Sequence, residues 1–324
     1  MEEKRCQNCK YFFAYYTKSK NGYFHKMPTD GHCICIELSA ASRNKYIAKC
    51  LACEYWEPIE LQIEERKSIV GKHIEKISEY LSDVSVILSD DCGRVNLPVY
   101  NGEDTVVGFN FDIDLSVWTH KVIAEKDRFF IGIKMPDNQY HSFHGINRNG
   151  NVGTLLYVNG NQNGAYRSGE GHITVADLTE RYIKGELLFD EACSIVQNKK
   201  IVYAEDATMQ AMLSDKNGRV LIIEPGIGHR FEHTKYSLIT NYSVLNPEIT
   251  RPYIVPGDDR FERADKELKR QNDNFSVADA FRILESVRQE GLWATRVSFV
   301  YSVKENRVFY ALNNDFKNIK EYRF

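Results

Sequence analysis

Residues 92–112, CGRVNLPVYNGEDTVVGFNFD, carry two short apolar-rich runs on either side of Asn101-Gly102. That dipeptide predicts a β-hairpin, because both residues tolerate the positive φ of a tight turn. Residues 127–134 (DRFFIGIK) predict another strand, residues 144–150 (HGINRNG) a polar turn, and residues 153–158 (GTLLYV) a further strand. From Thr174 the period lengthens. TVADLTERYIKGELLFDEACSIV has an N-cap threonine and one apolar face, which predicts two short helices parted near Gly185. Strands return at 200–203, 211–214, 220–224 and 237–240, with Lys216-Asn217-Gly218 as a hairpin turn. Residues 276–290 predict an amphipathic helix capped by Ser276, and 296–302 with 307–312 a closing hairpin.

Strands in hairpins with helices in blocks point to an α+β fold, antiparallel sheets covered by helices, rather than a doubly wound sheet. No G-x-G-x-x-G or P-loop interrupts them. Ahead of this region, residues 58–91 space Ile59, Ile63, Ile69, Ile74, Ile77 and Leu81 in a broadly helical way and predict a charged connector. Its last residues, Ser89-Asp90-Asp91, are turn formers set directly before Cys92.

Cysteine usage divides the chain. Of eight cysteines, Cys6, Cys9, Cys33, Cys35, Cys50 and Cys53 fall in the first 53 residues, leaving Cys92 and Cys193 for the rest. The expected organisation is a cysteine-rich domain at 1–57, a connector and candidate propeptide at 58–91, and a main domain at 92–324. No apolar run approaches the roughly twenty residues of a membrane span. The polar start MEEKRCQNC also lacks a signal-peptide core, so a cytoplasmic location is expected. In a reducing compartment, two CxxC pairs bracketing a CxC argue for metal over disulfides, and Zn²⁺ takes four thiolates in a tetrahedron. Its binding would supply much of the folding energy of so small a segment. His25 and His32 are more readily solvated loop residues. A net charge of −3 leaves no overall footprint for nucleic acid, although the head's scattered basic residues suit an acidic partner or nucleic acid where they are not simply solvated.

Cys92 is the candidate nucleophile. A cut before it would free an α-amino group beside the thiol. The two titrate near ~8 and ~8.5, so the amine can serve as the base. His120, His141 and His144 are available for a Cys-His dyad, but no local signature of one surrounds Cys92.

Asn110-Phe111-Asp112 after a hairpin, GINRNG, the helix block, AMLSDKNGRVLIIEP, Thr240-Asn241 and Pro256-Gly257-Asp258-Asp259-Arg260-Phe261 follow one another in a known order. In this, residues 92–324 resemble the choloylglycine hydrolase and penicillin V acylase superfamily, and its linear amide C–N hydrolases above all. The resemblance implies a four-layer αββα N-terminal-nucleophile hydrolase fold, two stacked antiparallel sheets between helical layers. It implies hydrolysis of non-peptide amides such as N-acyl conjugates, no cofactor for catalysis, autoproteolytic exposure of the cysteine, and a tendency to homo-oligomers. Carried over, Cys92 is the nucleophile, Asp112 orients its amine, and Tyr157 contacts oxyanion or substrate. Asn241 donates to the oxyanion, and Arg260 sits near the cysteine. Phe109 stands where the family usually has an arginine, and Gly93 where it usually has Thr or Ser. The alternative is a catalytically silent relative acting as a zinc-anchored binding protein. The head resembles small treble-cysteine modules reading CxxCxxF, GxC and CxxW. That likeness implies Cys6, Cys9, Cys33 and Cys53 as ligands of a structural zinc, with Cys50 as a substitute. The substrate-distinguishing loops fall at 115–122 and 160–171, with the Asn/Gly-rich run 160–164 expected as a flexible rim.

Overall fold

The computed structural model describes residues 4–9, 11–18, 24–33, 35, 53–57, 95–100, 104–113, 115, 118–135, 137–205, 207–250, 258–271, 274–291 and 294–324. The connector 58–91, Cys92 and Cys50 lie outside them. Among the described residues no helix is long and apolar enough to cross a membrane.

In the head, a 3-10 turn at Cys6–Asn8 precedes strand β1 (Phe12–Lys18), which pairs antiparallel with β2 (Phe24–Cys33). Cys9 and Phe12 are buried, with Cys6, Tyr11 and Trp56 packed against them. The Trp56 indole N–H donates to Arg5 O at 2.9 Å, tying the end of the head to its beginning.

The main region opens with β3 (Val95–Tyr100) and β4 (Thr105–Asp112), the expected hairpin. It continues with β5 (His120–Ala124), β6 (Arg128–Lys134), β7 (Tyr140–Asn147) and β8 (Val152–Tyr157). Next come β9 (His172–Thr174), helices α1 (Val175–Ile183) and α2 (Phe189–Asn198), then β10 (Lys200–Val202), β11 (Met209–Ser214), β12 (Val220–Glu224) and β13 (Gly228–Glu232). The chain finishes with α3 (Pro247–Thr250), α4 (Arg260–Lys269), α5 (Val277–Ser286), β14 (Thr295–Ser302), β15 (Arg307–Leu312) and β16 (Lys320–Arg323).

Seven strands form one antiparallel sheet in the order β13-β12-β11-β8-β7-β6-β5, and five form a second in the order β16-β15-β14-β4-β3. Helix α1 packs on β7, β8 and β11, while α5 packs on β4 and β14. Between the sheets, Phe109 of β4 stacks on His144 of β7 with centroids 3.8 Å apart, and Phe299 of β14 meets Phe129 of β6. Period two sorts the five-stranded sheet: Val107, Phe109 and Phe111 join the main core, whereas Val106 joins Ala280, Ile283 and Leu284 of α5. The layers therefore run helix, sheet, sheet, helix, the αββα arrangement expected from the sequence. Helix α1 can lie so close because β8 has glycine at 153, where a Cβ would stand 2.7 Å from the Ile183 side chain.

Several sequence expectations need correction, the first being His25 and His32, which lie in β2 paired with Thr17 and Phe13 and not in a loop. Residues 144–147 are not turn but the end of β7, with His144 buried and its Nδ1 2.6 Å from Thr154 Oγ1. Only residues 148–150 reverse the chain, held by Asn147 Oδ1, which accepts from the N–H of Asn149 and of Asn151. Residues 237–240 form no ladder; their neighbour Tyr236 makes a single antiparallel bridge to Val99, and Ser237 N donates to Pro98 O at 3.1 Å. The stretch 160–164 is no flexible rim. Asn161 caps a 3-10 turn at Gln162–Gly164, and its Nδ2 donates to Tyr203 Oη and Pro225 O at 2.8 and 2.9 Å.

Candidate functional site

Strand β4 ends at Asp112, fully buried. Facing it is Arg260, the first residue of α4 and 4% exposed. A cation at a helix N-terminus opposes the helix dipole, so its position must be fixed by other charges. They are present. Arg260 Nε donates to Asp258 Oδ1 at 2.7 Å and Nη2 to Asp258 Oδ2 at 2.6 Å, a bidentate pair, while Nη1 lies 3.6 Å from Asp112 Oδ2. Tyr242 Oη also donates to Asp258 Oδ2, at 2.7 Å. Burial alone would raise the Asp258 carboxyl, but the bonds and charge of Arg260, with the Tyr242 hydroxyl, hold it below the ordinary carboxylate range. Burial works against the Arg260 charge, yet Asp258 and Asp112 keep the guanidinium firmly protonated.

Asn241 precedes Tyr242 and is buried. Its Nδ2 donates to the main-chain oxygen of Tyr157, the last residue of β8, at 2.7 Å. Tyr157 thus meets Asn241 through its carbonyl, while its side chain belongs to the main hydrophobic core. Tyr242 links the Asn241–Tyr157 contact to the Asp258–Arg260–Asp112 cluster. Four sequence-predicted residues are accordingly brought into one connected region drawn from both sheets, α4 and the segment after β13. The fifth, Cys92, lies outside the described residues. The β3–β4 register nevertheless pairs Val95 with Asn110, so Asp112 is at the end of the sheet where β3 begins. Phe109, at the family's usual arginine position, is buried between the sheets against His144 and takes no part in the charge cluster.

Behind this segment opens a cavity of about 700 Å³, lined by Tyr236, Leu238, Thr240, Tyr242, Val244 and Phe261 among others. Asn241 is not part of its wall, but Tyr242 belongs to both the cavity and the charge cluster.

Sequence reasoning passed over Asp258 and Tyr242, although both adjoin residues it chose. It also passed over Gln210 and Glu224, buried polar residues on β11 and β12 whose side chains bond to the 240–245 segment. Only a polar residue inside an apolar strand run could have signalled them.

In the head, the described cysteines Cys9, Cys33, Cys35 and Cys53 are free thiols. Cys35 N donates to Cys33 Sγ at 3.4 Å. Burial pushes the Cys33 thiol up to about 11, against the opposing pull of that N–H, and charge on Cys35, Cys9 and Cys53 pushes the same way as burial. Among the described residues no three His, Cys, Asp or Glu side chains are grouped to hold a metal, and Cys50 of the expected zinc set is outside them.

No family model matches the chain, and no curated protein does. Among solved structures it is similar to a variant of conjugated bile acid hydrolase from Clostridium perfringens. That match has 14% identity and a TM-score of 0.47, and covers 71% of this chain and 97% of the other. It is also similar to penicillin V acylase from Agrobacterium tumefaciens (14% identity, TM-score 0.48, 70% and 90% coverage). A further match is the N-acylethanolamine-hydrolyzing acid amidase ortholog of Caenorhabditis elegans (16% identity, TM-score 0.36, 65% and 93% coverage).

Proposed function

We propose that residues 92–324 form a hydrolase of linear, non-peptide amide bonds, with Cys92 as nucleophile after the chain is cut before it. One observation carries this reading. At the sheet end where β3 starts, three residues after Cys92, Asp112 lies in a buried ion-pair cluster with Arg260 and Asp258, which Tyr242 joins to the neighbouring Asn241. Three residues of chain reach about 10 Å at most, so Cys92 is tethered near that end. There the Asp112 carboxylate is the acceptor assigned to the amine of a freed Cys92.

The chemistry follows from these parts. In its neutral form the Cys92 amine takes the thiol proton, and the thiolate adds to the amide carbonyl. The carbonyl oxygen then bears the charge, and an amide N–H of Asn241 is the donor assigned to it, a contribution of roughly 3 kcal/mol in comparable sites. Collapse of the adduct breaks the C–N bond, and the departing nitrogen takes the proton from the ammonium. Water then attacks the thioester with the amine again as base, releasing the acid and restoring the thiol. Asp112 holds the amine in line, and Arg260 holds Asp112 while keeping Asp258 ionised. Chromogenic N-acyl anilides test the proposal: wild-type protein should turn over at least one acyl class and Cys92→Ser none. Equal rates in the two would remove Cys92 from the reaction.

A further inference from the structure

The strand register that pairs Ala211 with Ile223 sets Gln210 of β11 opposite Glu224 of β12. Both are buried, at 0% and 2% exposure. Between them they make five hydrogen bonds, all to residues 240–245. Gln210 Nε2 donates to Thr240 O at 2.6 Å and to Tyr242 O at 3.1 Å, the carbonyls on either side of Asn241. Glu224 Oε1 accepts from the N–H of Val244 at 2.8 Å and of Leu245 at 3.1 Å, and Oε2 from Ser243 Oγ.

Apolar contact already holds this segment down: Ile239, Val244 and Leu245 pack on Leu156, Met212, Val220 and Ile222. Burying an amide and a carboxyl beneath it costs desolvation that an apolar pair would not incur. What hydrogen bonds add is direction, because they hold the Thr240–Asn241 and Tyr242–Ser243 peptide planes, which bracket Asn241. Its side chain is then set against Tyr157 O, and the plane of its amide, with both N–H directions, is settled.

We infer that Gln210, backed by Glu224, is the positioning residue of the candidate centre, aiming the Asn241 amide at the oxyanion. This rests on the hydrolase reading above. Gln210→Met keeps the volume and removes the donor; Gln210→Glu keeps the shape and turns a carboxylate toward two carbonyl oxygens. The expected result for each is a fall in kcat of roughly tenfold to a hundredfold, the scale of a misplacement of about 1 Å, with KM within about twofold. Rates are taken per labelled Cys92 thiol, so that loss of folded protein alone does not register. A second readout needs no turnover: in ¹⁵N-labelled protein the Asn241 side-chain amide should exchange slowly, and at least about tenfold faster in Gln210→Met. Should that variant not fold, Gln210→Asn, one methylene short, is read the same way. If no anilide is hydrolysed but the exchange changes as stated, the clamp on Asn241 stands and the hydrolase reading falls. Unaltered kcat in an active enzyme, or unaltered Asn241 exchange, would overturn the inference.

Discussion

Arg260→Met takes the guanidinium from between two buried carboxylates, Asp112 and Asp258. In the native protein Nη1 lies 3.6 Å from Asp112 Oδ2 and Nη2 2.6 Å from Asp258 Oδ2. At an effective dielectric constant of about 20, the longer contact alone represents about 4 to 5 kcal/mol of attraction before desolvation is counted. Measured losses on removing one partner of a buried pair are about 3 to 5 kcal/mol, and that is the expected destabilisation at pH 7. The pH dependence has a definite sign. In the native protein Asp258 is held below its ordinary value, so its contribution is present above the unfolded carboxylate pKa of about 4 and disappears as pH falls through the folded value. Without the guanidinium, burial of Asp258 is opposed only by the Tyr242 hydroxyl and the residue-260 N–H, and its folded pKa rises. The variant should then lose less stability than wild type on acidification toward pH 4. Urea unfolding of both proteins, followed by far-UV circular dichroism at pH 7 and pH 5, measures the difference directly. The gap should narrow at pH 5. A variant within about 1 kcal/mol of wild type at pH 7 would refute the reasoning, since a pair that dispensable is not desolvated.

Gly226→Ala should lose about 2 to 5 kcal/mol by the same urea assay, combining the cost of a positive φ with overpacking. Gly226 has φ +77°, and a Cβ there would stand 2.1 Å from Gly164 N and 2.2 Å from Asn161 Oδ1. Ser276→Ala should cost about 1 kcal/mol, because Ser276 Oγ accepts from Asp279 N at 3.3 Å while the Asp279 side chain accepts from Ser276 N at 2.9 Å, a reciprocal cap.

The elements legible in the sequence were those whose own period decides them. The β3–β4 hairpin, the pair α1 and α2, the β11–β12 hairpin and the final β14–β15 hairpin all carry that signal within a few residues. Strand β7 was misread at its end because His144 and Asn147 look solvated. They are buried polar residues whose named partners lie elsewhere in the chain, Thr154 for His144 Nδ1 and the main-chain oxygen of Tyr182, to which Asn147 donates. Helix α4 went unpredicted because only Ala264 and Leu268 mark its buried face alongside Arg260, whose burial depends on Asp258 and Asp112. The site divides the same way. Asp112, Asn241 and Arg260 were chosen through the order of short motifs, whereas Gln210 and Glu224 reach partners 19 to 32 positions away and show only as polar residues inside apolar strand runs.

The intact mass of purified full-length protein, taken after incubation at neutral pH, tests the central claim most directly. The account predicts a species of residues 92–324 beginning with Cys92, and its absence from Cys92→Ala. A chain that keeps residues 1–91 joined to Cys92 while hydrolysing no amide would contradict it.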